Sequence, residues 1–368
     1  MKNIPLYKPY IPFSLKYTVS SPIKTGWMGY GNYAKSIENT FTEKFGGFAI
    51  STNSCTSALY IAGRLIFSNP ADEVVVPAIT FVSTAMAFKT AGLKVVIADI
   101  DNSGMLDVDN IQKYVTKNTK AIIIVDLYGQ MAEIKKLKEF CNNHKIVLIE
   151  DCAHRIGFYD IKKEADICCF SFNVMKELPS GEGGLLWCRD KEFESSARKI
   201  ANVGLAEDTV KRTSSLMHRN YLFSDINGLK LLQNDLTAYY TVKLFKTRYK
   251  KNLSIRKKIF EKYDNAFVNI KNINIFPRTL QDSYLMYVVR VPSNIRDGFR
   301  KYLSDNKIST SMHYPNLAEH PIFSSVDNCE NAKIFADEVI TLPCFPGLST
   351  SKQNYIINKI KDYFSNAN

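Results

Sequence analysis

Between about residues 35 and 190 the chain alternates short, β-branched apolar runs with stretches of helical period, and few folds accept that alternation. The runs are Glu73–Val76, Lys94–Ala98, Ala121–Val125, Lys145–Glu150, Asp166–Phe172 and Gly184–Cys188. Between them lie amphipathic segments such as Ser57–Phe67, Ser83–Ala91 and Met131–Asn142. Strands that are apolar at nearly every position need burial on both faces, which predicts an α/β fold with a mainly parallel sheet covered by helices. Open sheets of this kind bind ligands at the carboxyl ends of their strands. Pro77, Asp151 and the loop after Phe172 fall at such ends.

A chain of 368 residues exceeds what a single core usually supports, so two domains are expected. From Asp225 to Asp264 the spacing predicts one long helix. Beyond it lie strands near Ile273–Phe276 and Met286–Val291, then helices near Ile295–Asn306 and Lys352–Phe364. This pattern places a large domain at 1–240 and a smaller C-terminal α/β domain at 241–368.

The charge balance of 48 Lys+Arg against 36 Asp+Glu, net +12, suits an enzyme of phosphorylated anions as well as a nucleic-acid binder. The basic residues are dispersed except in Lys246–Lys258, where helical spacing predicts a solvated face. No nucleic-acid partner is therefore expected. No apolar run reaches membrane-spanning length and the start lacks a signal-peptide core, so the expected location is cytoplasmic, without a membrane partner. The eight cysteines form no Cys-x-x-Cys pair, and Cys168, Cys169 and Cys188 lie inside apolar runs. They predict buried, reduced thiols. The five histidines show no metal-ligand spacing, so no metal is expected.

Chemistry concentrates in Ser171–Gly184, where Lys176 follows an apolar strand and precedes a glycine cluster. A lysine held away from water loses its proton more readily and condenses with carbonyls, and glycines let backbone approach a planar ligand. Three other segments reach the same end of the sheet. Ser54–Leu59 opens a helix with hydroxyls, which suits a phosphate or an ordinary cap. Glu150–His154 puts Asp151 at a strand end, where a carboxylate pairs with a ring-nitrogen cation or caps a helix. Pro77–Phe81 offers an aromatic for stacking or core packing.

In order and spacing these segments resemble the DegT/DnrJ/EryC1/StrS family of sugar aminotransferases. The likeness spans Thr25–Gly31, Ser54–Leu59, Pro77–Thr84, Glu150–Gly157, Phe170–Gly184, Asn220–Ile226, His313–Pro315 and Leu342–Pro343. It implies the fold type I of pyridoxal 5'-phosphate (PLP/PMP) transferases, with a mostly parallel seven-stranded sheet in the large domain. It implies Lys176 as the lysine that binds the cofactor covalently and shuttles the proton, and Asp151 as the partner of its ring nitrogen. Phe81 matches the stacking aromatic and His154 a position near the cofactor hydroxyl. Thr56, Ser57 and Ser171 match phosphate ligands, and Asn220 a residue that reaches the neighbouring subunit's phosphate, which implies a homodimer with shared sites. Trp27, Tyr30, His313, Tyr314 and His320 are candidate substrate contacts. Cys55 departs from the family's usual glycine, and Asn220–Ser224 lacks an arginine common there.

The resemblance implies transfer of an amino group from glutamate to a nucleotide-linked 4-keto-6-deoxyhexose. The specific expectation is dTDP-4-keto-6-deoxyglucose aminated at C4 for O-antigen or surface polysaccharide, because relatives acting at C3 often carry Gln where His154 stands. A C3 aminotransferase or an enzyme of GDP- or UDP-linked sugars is the alternative. A non-catalytic regulator of the same fold is a more distant one, opposed by the presence of both Lys176 and Asp151.

Overall fold

The computed structural model describes residues 3–18, 20–157, 163–205, 226–325 and 328–366. Its larger sheet contains β1 (Phe48–Thr52), β2 (Glu73–Pro77), β3 (Lys94–Ala98), β4 (Thr119–Val125), β5 (Val147–Cys152), β6 (Ile167–Ser171) and β7 (Gly184–Cys188). An eighth strand of two residues, β10 (Ser324–Ser325), arrives from the C-terminal part of the chain. The order is β1-β7-β6-β5-β4-β2-β3-β10. All neighbours run parallel except β7, which is antiparallel to both β6 and β1. The mostly parallel seven-stranded sheet expected from the sequence is therefore present, extended at its far edge by β10.

Strand period two splits the side chains between two cores. Val74, Val76, Ile97, Ala121, Ile123, Ile149, Ile167 and Cys169 face α4 (Cys55–Ile66), α5 (Val82–Ala91) and α7 (Lys191–Ala201). Val75, Ala98, Ile122, Ile124, Leu148, Cys168 and Phe170 face α3 (Asn32–Phe45), α6 (Ile134–His144) and α8 (Asp235–Thr247). Every residue of β6 and β7 is buried, as a sheet covered on both sides demands. The sequence reading missed β1, because its buried end is polar. There the Ser51 hydroxyl donates to Gln233 Oε1 at 2.6 Å and the Thr52 hydroxyl to the Ser54 carbonyl at 2.9 Å.

A smaller antiparallel sheet follows, with β8 (Asn274–Ile275), β9 (Tyr287–Arg290) and β11 (Val339–Leu342) in the order β11-β9-β8. It packs with α9 (Tyr249–Phe267), α10 (Ser293–Asp305) and α12 (Thr350–Asn366) around a third core that also takes in Ile4. The one long helix expected over Asp225–Asp264 is two. Arg248 leaves the helical basin at φ −134° and ψ −22°, between α8 and α9. The packing changes partner there: Tyr239, Val242 and Leu244 join the large-sheet core, while Leu253, Phe260 and Tyr263 join the small one. The described part of the expected helix before Asn234 is not helical; Leu232 instead bridges to Thr52 of β1.

Candidate active site

Asp151 stands near the carboxyl end of β5, and strand alternation turns it to the α4–α5 face while Glu150 and Cys152 turn to the other. It is buried, and its carboxylate accepts from the Thr84 hydroxyl at 2.8 Å and the Ala153 amide at 2.9 Å. The Cys55 thiol lies 4.0 Å away. Burial raises the Asp151 pKa, opposed by those donors and by the positive field of Lys176.

The amino end of α4 forms one wall. Ser54 caps the helix by accepting from the Ser57 amide at 3.1 Å, which leaves Thr56 exposed to the cavity. Gly184 pairs with Ser171 in the neighbouring strand, and a Cβ on it would meet the Cys55 nitrogen at 2.5 Å. The sequence reading gave this glycine to cofactor clearance. The structure gives it to close approach between β7 and the start of α4, a contact between two stretches of backbone.

Lys176 is carried by the tight connection from β6 to β7. Phe172 and Gly183 are joined by an amide–carbonyl bond of 2.8 Å, Val174 and Gly181 by one of 3.0 Å, and the Lys176 amide donates to Asn173 at 2.9 Å. Gly181 takes φ +92°, which favours glycine. Neighbouring Glu177 is buried and accepts the Ile156 amide at 2.6 Å, and the Tyr7 hydroxyl donates to the Lys176 carbonyl at 3.3 Å. The segment is therefore pinned at both ends of its backbone. Withdrawal from water pulls the half-buried Lys176 ammonium down to about 8, with Asp151 and Cys55 opposing.

The small sheet's side supplies His313 and Tyr314. His154 Nδ1 accepts the Tyr128 amide at 3.1 Å, and its Nε2 lies 3.1 Å from the Tyr314 hydroxyl. Burial, with the charges of Lys176 and His313, holds His154 well below its usual pKa. A neutral ring that accepts at Nδ1 carries its proton on Nε2, so Nε2 donates to Tyr314 and leaves the phenol's own proton for another acceptor. Burial and Lys176 push His313 down to about 4, and its Nδ1 lies 2.8 Å from the Thr341 hydroxyl. Phe81 is 53 % exposed at the cavity rim, its ring centroid 5.9 Å from that of Tyr314.

These groups enclose about 240 Å³. Of the residues singled out in the sequence, Thr56, Phe81, Asp151, His154, Ser171, Lys176, His313 and Tyr314 line this cavity. Others do not. The Ser57 hydroxyl is spent on Asn53 Oδ1 at 2.6 Å and on Ser54 at 2.9 Å, so it belongs to the cap. The Trp27 indole donates to the Tyr30 carbonyl at 2.9 Å, and the Tyr30 hydroxyl donates to Glu38 at 2.9 Å beside Arg198. Both therefore stabilise the turn before α3, away from their own chain's cavity. His320 lines an adjoining groove that shares Thr80, Phe81 and Tyr314 with the cavity. Asn220 lies outside the described residues. Sequence reasoning missed Thr84 and Asn173, which also line the cavity; the Thr84 and Thr80 hydroxyls lie 2.9 Å apart there.

The model of the DegT/DnrJ/EryC1/StrS aminotransferase family matches residues 14–361. Among curated proteins the chain is 27 % identical to dTDP-4-dehydro-2,3,6-trideoxy-D-glucose 4-aminotransferase of Saccharopolyspora spinosa, over 99 % of this chain and 96 % of that one. It is also 27 % identical to GDP-perosamine synthase of Escherichia coli O157:H7, over 99 % of this chain and all of the other. Among solved structures the putative sugar aminotransferase Spr1654 of Streptococcus pneumoniae, in its PMP form, superposes with a TM-score of 0.90 at 25 % identity, covering 99 % of this chain and 100 % of that one. The chain belongs to the DegT/DnrJ/EryC1/StrS aminotransferase family, which works with pyridoxal 5'-phosphate.

Proposed function

We propose that the protein transfers an amino group from glutamate to a nucleotide-linked 4-keto-6-deoxyhexose, with dTDP-4-keto-6-deoxyglucose aminated at C4 as the best match. The observation that carries the reading is Lys176 in one cavity with Asp151, its amine brought down to about 8 by burial. The donor set fits pyridoxal phosphate: a buried carboxylate for a protonated ring nitrogen, an aromatic wall at Phe81, and the hydroxyls of Thr56 and Ser171 for phosphate. Bound there, the cofactor would supply an electron sink for the carbon next to the migrating nitrogen. Lys176 is the base that takes the proton from that carbon and returns it at the end. An amine near 8 is suited to both halves of that task at neutral pH. Thr84 and the Ala153 amide favour the ionised form of Asp151 against its burial and aim it into the cavity. Neutral His154 donates to Tyr314 and so adds no competing positive charge beside Asp151.

The dTDP choice is supported by the name of the S. spinosa relative and by His154. A GDP-linked substrate is the second reading, supported by the name of the E. coli relative. The proposal includes a cytoplasmic homodimer with Asn220 crossing to the partner's phosphate site, and a role in O-antigen or surface-polysaccharide synthesis. Among the described residues no helix is long and apolar enough to cross a membrane. The test is incubation with glutamate and a panel of dTDP-, GDP- and UDP-linked 3-keto and 4-keto sugars, with the new amine located by NMR. The expected product is the dTDP-linked 4-amino sugar. Amination at C3, or of the GDP-linked sugar alone, would overturn the specific choice.

A further inference from the structure

On the other face of β5, behind the catalytic cavity, Glu150, Cys152 and Cys168 meet in the buried core. Each offers one donor atom, and all three lie within 4.8 Å of one another. The Cys168 thiol donates to Glu150 Oε2 at 3.2 Å. The Lys163 ammonium stands beside the same group, 3.3 Å from Glu150 Oε1 and 3.6 Å from Cys152 Sγ. A second cavity of about 240 Å³, lined by Asp126, Glu150, Arg155 and Lys163 among others, opens on the Glu150 side of the cluster.

We propose that Glu150, Cys152 and Cys168 form a binding site for a thiophilic divalent ion of the zinc class. Two sulfurs and one carboxylate oxygen are three of the four donors such an ion takes, and a water reaching Glu150 from the adjoining cavity would be the fourth. Metal–sulfur bonds of about 2.3 Å set tetrahedral sulfurs about 3.8 Å apart, within the spread these atoms already have. A direct disulfide fits less well. Register pairs Glu150, not Cys152, with Cys168, so the two cysteines are diagonal neighbours two residues apart along the ladder. Two thiol donors select against magnesium and calcium, which prefer oxygen.

The charge balance also works. The ion releases one proton from each thiol, and a divalent cation in place of two protons leaves the cluster's net charge unchanged. Lys163 then keeps its charge and its bond to Glu150. Buried charge that is not matched is costly, so this neutral exchange is what admits an ion to an interior site.

The experiment is titration of the chelator-treated holoenzyme with Cd²⁺, read by the ultraviolet thiolate–metal charge-transfer band. The expected result is saturation at a single equivalent and a rise in unfolding temperature. The band should weaken in Cys168→Ser and in Cys152→Ser and vanish in the double variant, while Cys141→Ser leaves it intact. Lys163→Met separates a folding defect from lost binding: it should lower the unfolding temperature in chelator, and Cd²⁺ should restore it. A band that persists in the double serine variant, or no band in wild-type holoenzyme, overturns the site.

Discussion

Two lysines flank β5, and the protein treats them in opposite ways. Lys163 lies against Glu150 on the α3–α6 face, and the negative groups around it outweigh burial and keep its pKa well above the usual range. Glu150 is held low in return, its burial overcome by Lys163, Asp126 and Arg155. Lys176 shares the α4–α5 face with Asp151, and there burial wins and brings the amine down to about 8. Adjacent residues of one strand thus serve a closed ion pair and an open site. A carboxylate satisfied by a cation fixes charge in place, whereas one satisfied by a hydroxyl and an amide leaves the nearby amine free to exchange protons.

The largest expected effect tests the open side. Lys176→Ala should cut amine transfer by about 10²–10⁴-fold or more if Lys176 is the base of the proposed reaction. Circular dichroism and unfolding temperature should stay near wild type. Retained transfer would show that another group moves the proton.

The closed side should respond in the opposite currency. Glu150→Ala removes the carboxylate that Lys163 pairs with at 3.3 Å, with an expected loss of about 3–5 kcal/mol in urea unfolding and normal turnover per folded molecule. A loss under about 1 kcal/mol, or a fall in turnover at full folding, would erase the distinction between the two faces.

That distinction was only half legible in the sequence. Asp151 could be read because an apolar run ends in carboxylates at the edge where parallel sheets bind ligands, and Lys176 because a strand and a glycine turn bracket it. Glu150 could not, since its partner Lys163 approaches through tertiary packing and no spacing announces it. Thr84 looked like one more polar residue of an amphipathic helix until the fold set it against Asp151. The aromatics Trp27 and Tyr30 were candidate substrate contacts, yet the Trp27 indole donates to the Tyr30 carbonyl and the Tyr30 hydroxyl to Glu38. The break at Arg248 stayed hidden because helical periodicity reports which face is apolar and not which core that face joins.

Thr84→Val deletes the hydroxyl that donates to Asp151 at 2.8 Å while keeping shape. The expected cost is about 1–3 kcal/mol, seen as weaker cofactor retention on dialysis and not as unfolding. An unchanged affinity would mean that the Ala153 amide alone orients Asp151.

Proton linkage gives a further contrast. In cofactor-free protein the folded Lys176 titrates near 8 and the unfolded one near 10.5. Between those values the unfolded chain holds the extra proton, so stability should rise with pH across that window. The slope is at most about 1.4 kcal/mol per pH unit for one proton, and it should disappear in Lys176→Met. Lys163, whose pKa is raised in the fold, has the opposite sign: its contribution is complete at low pH and is lost only as pH climbs through its folded value. A Lys176→Met variant with the same slope as wild type would place the titrating group elsewhere.

The smallest effect belongs to Tyr314→Phe, and it asks whether the open side is as free of fixed charge as its geometry implies. His154 receives the Tyr128 amide on Nδ1, a contact that a doubly protonated ring would turn into donor against donor. The neutral ring must then give its Nε2 proton to Tyr314, and removing the phenol strands that proton in a buried setting. The expected cost is about 0.5–1.5 kcal/mol, a fall in turnover of up to roughly tenfold. The acid limb of the pH–rate profile should not move, because His154 is uncharged throughout the neutral range in both proteins. If Tyr314→Phe instead introduces a titration near the ordinary histidine value, then Tyr314 is what keeps His154 neutral. The neutrality of His154 beside Asp151 would then depend on that hydroxyl and not on burial.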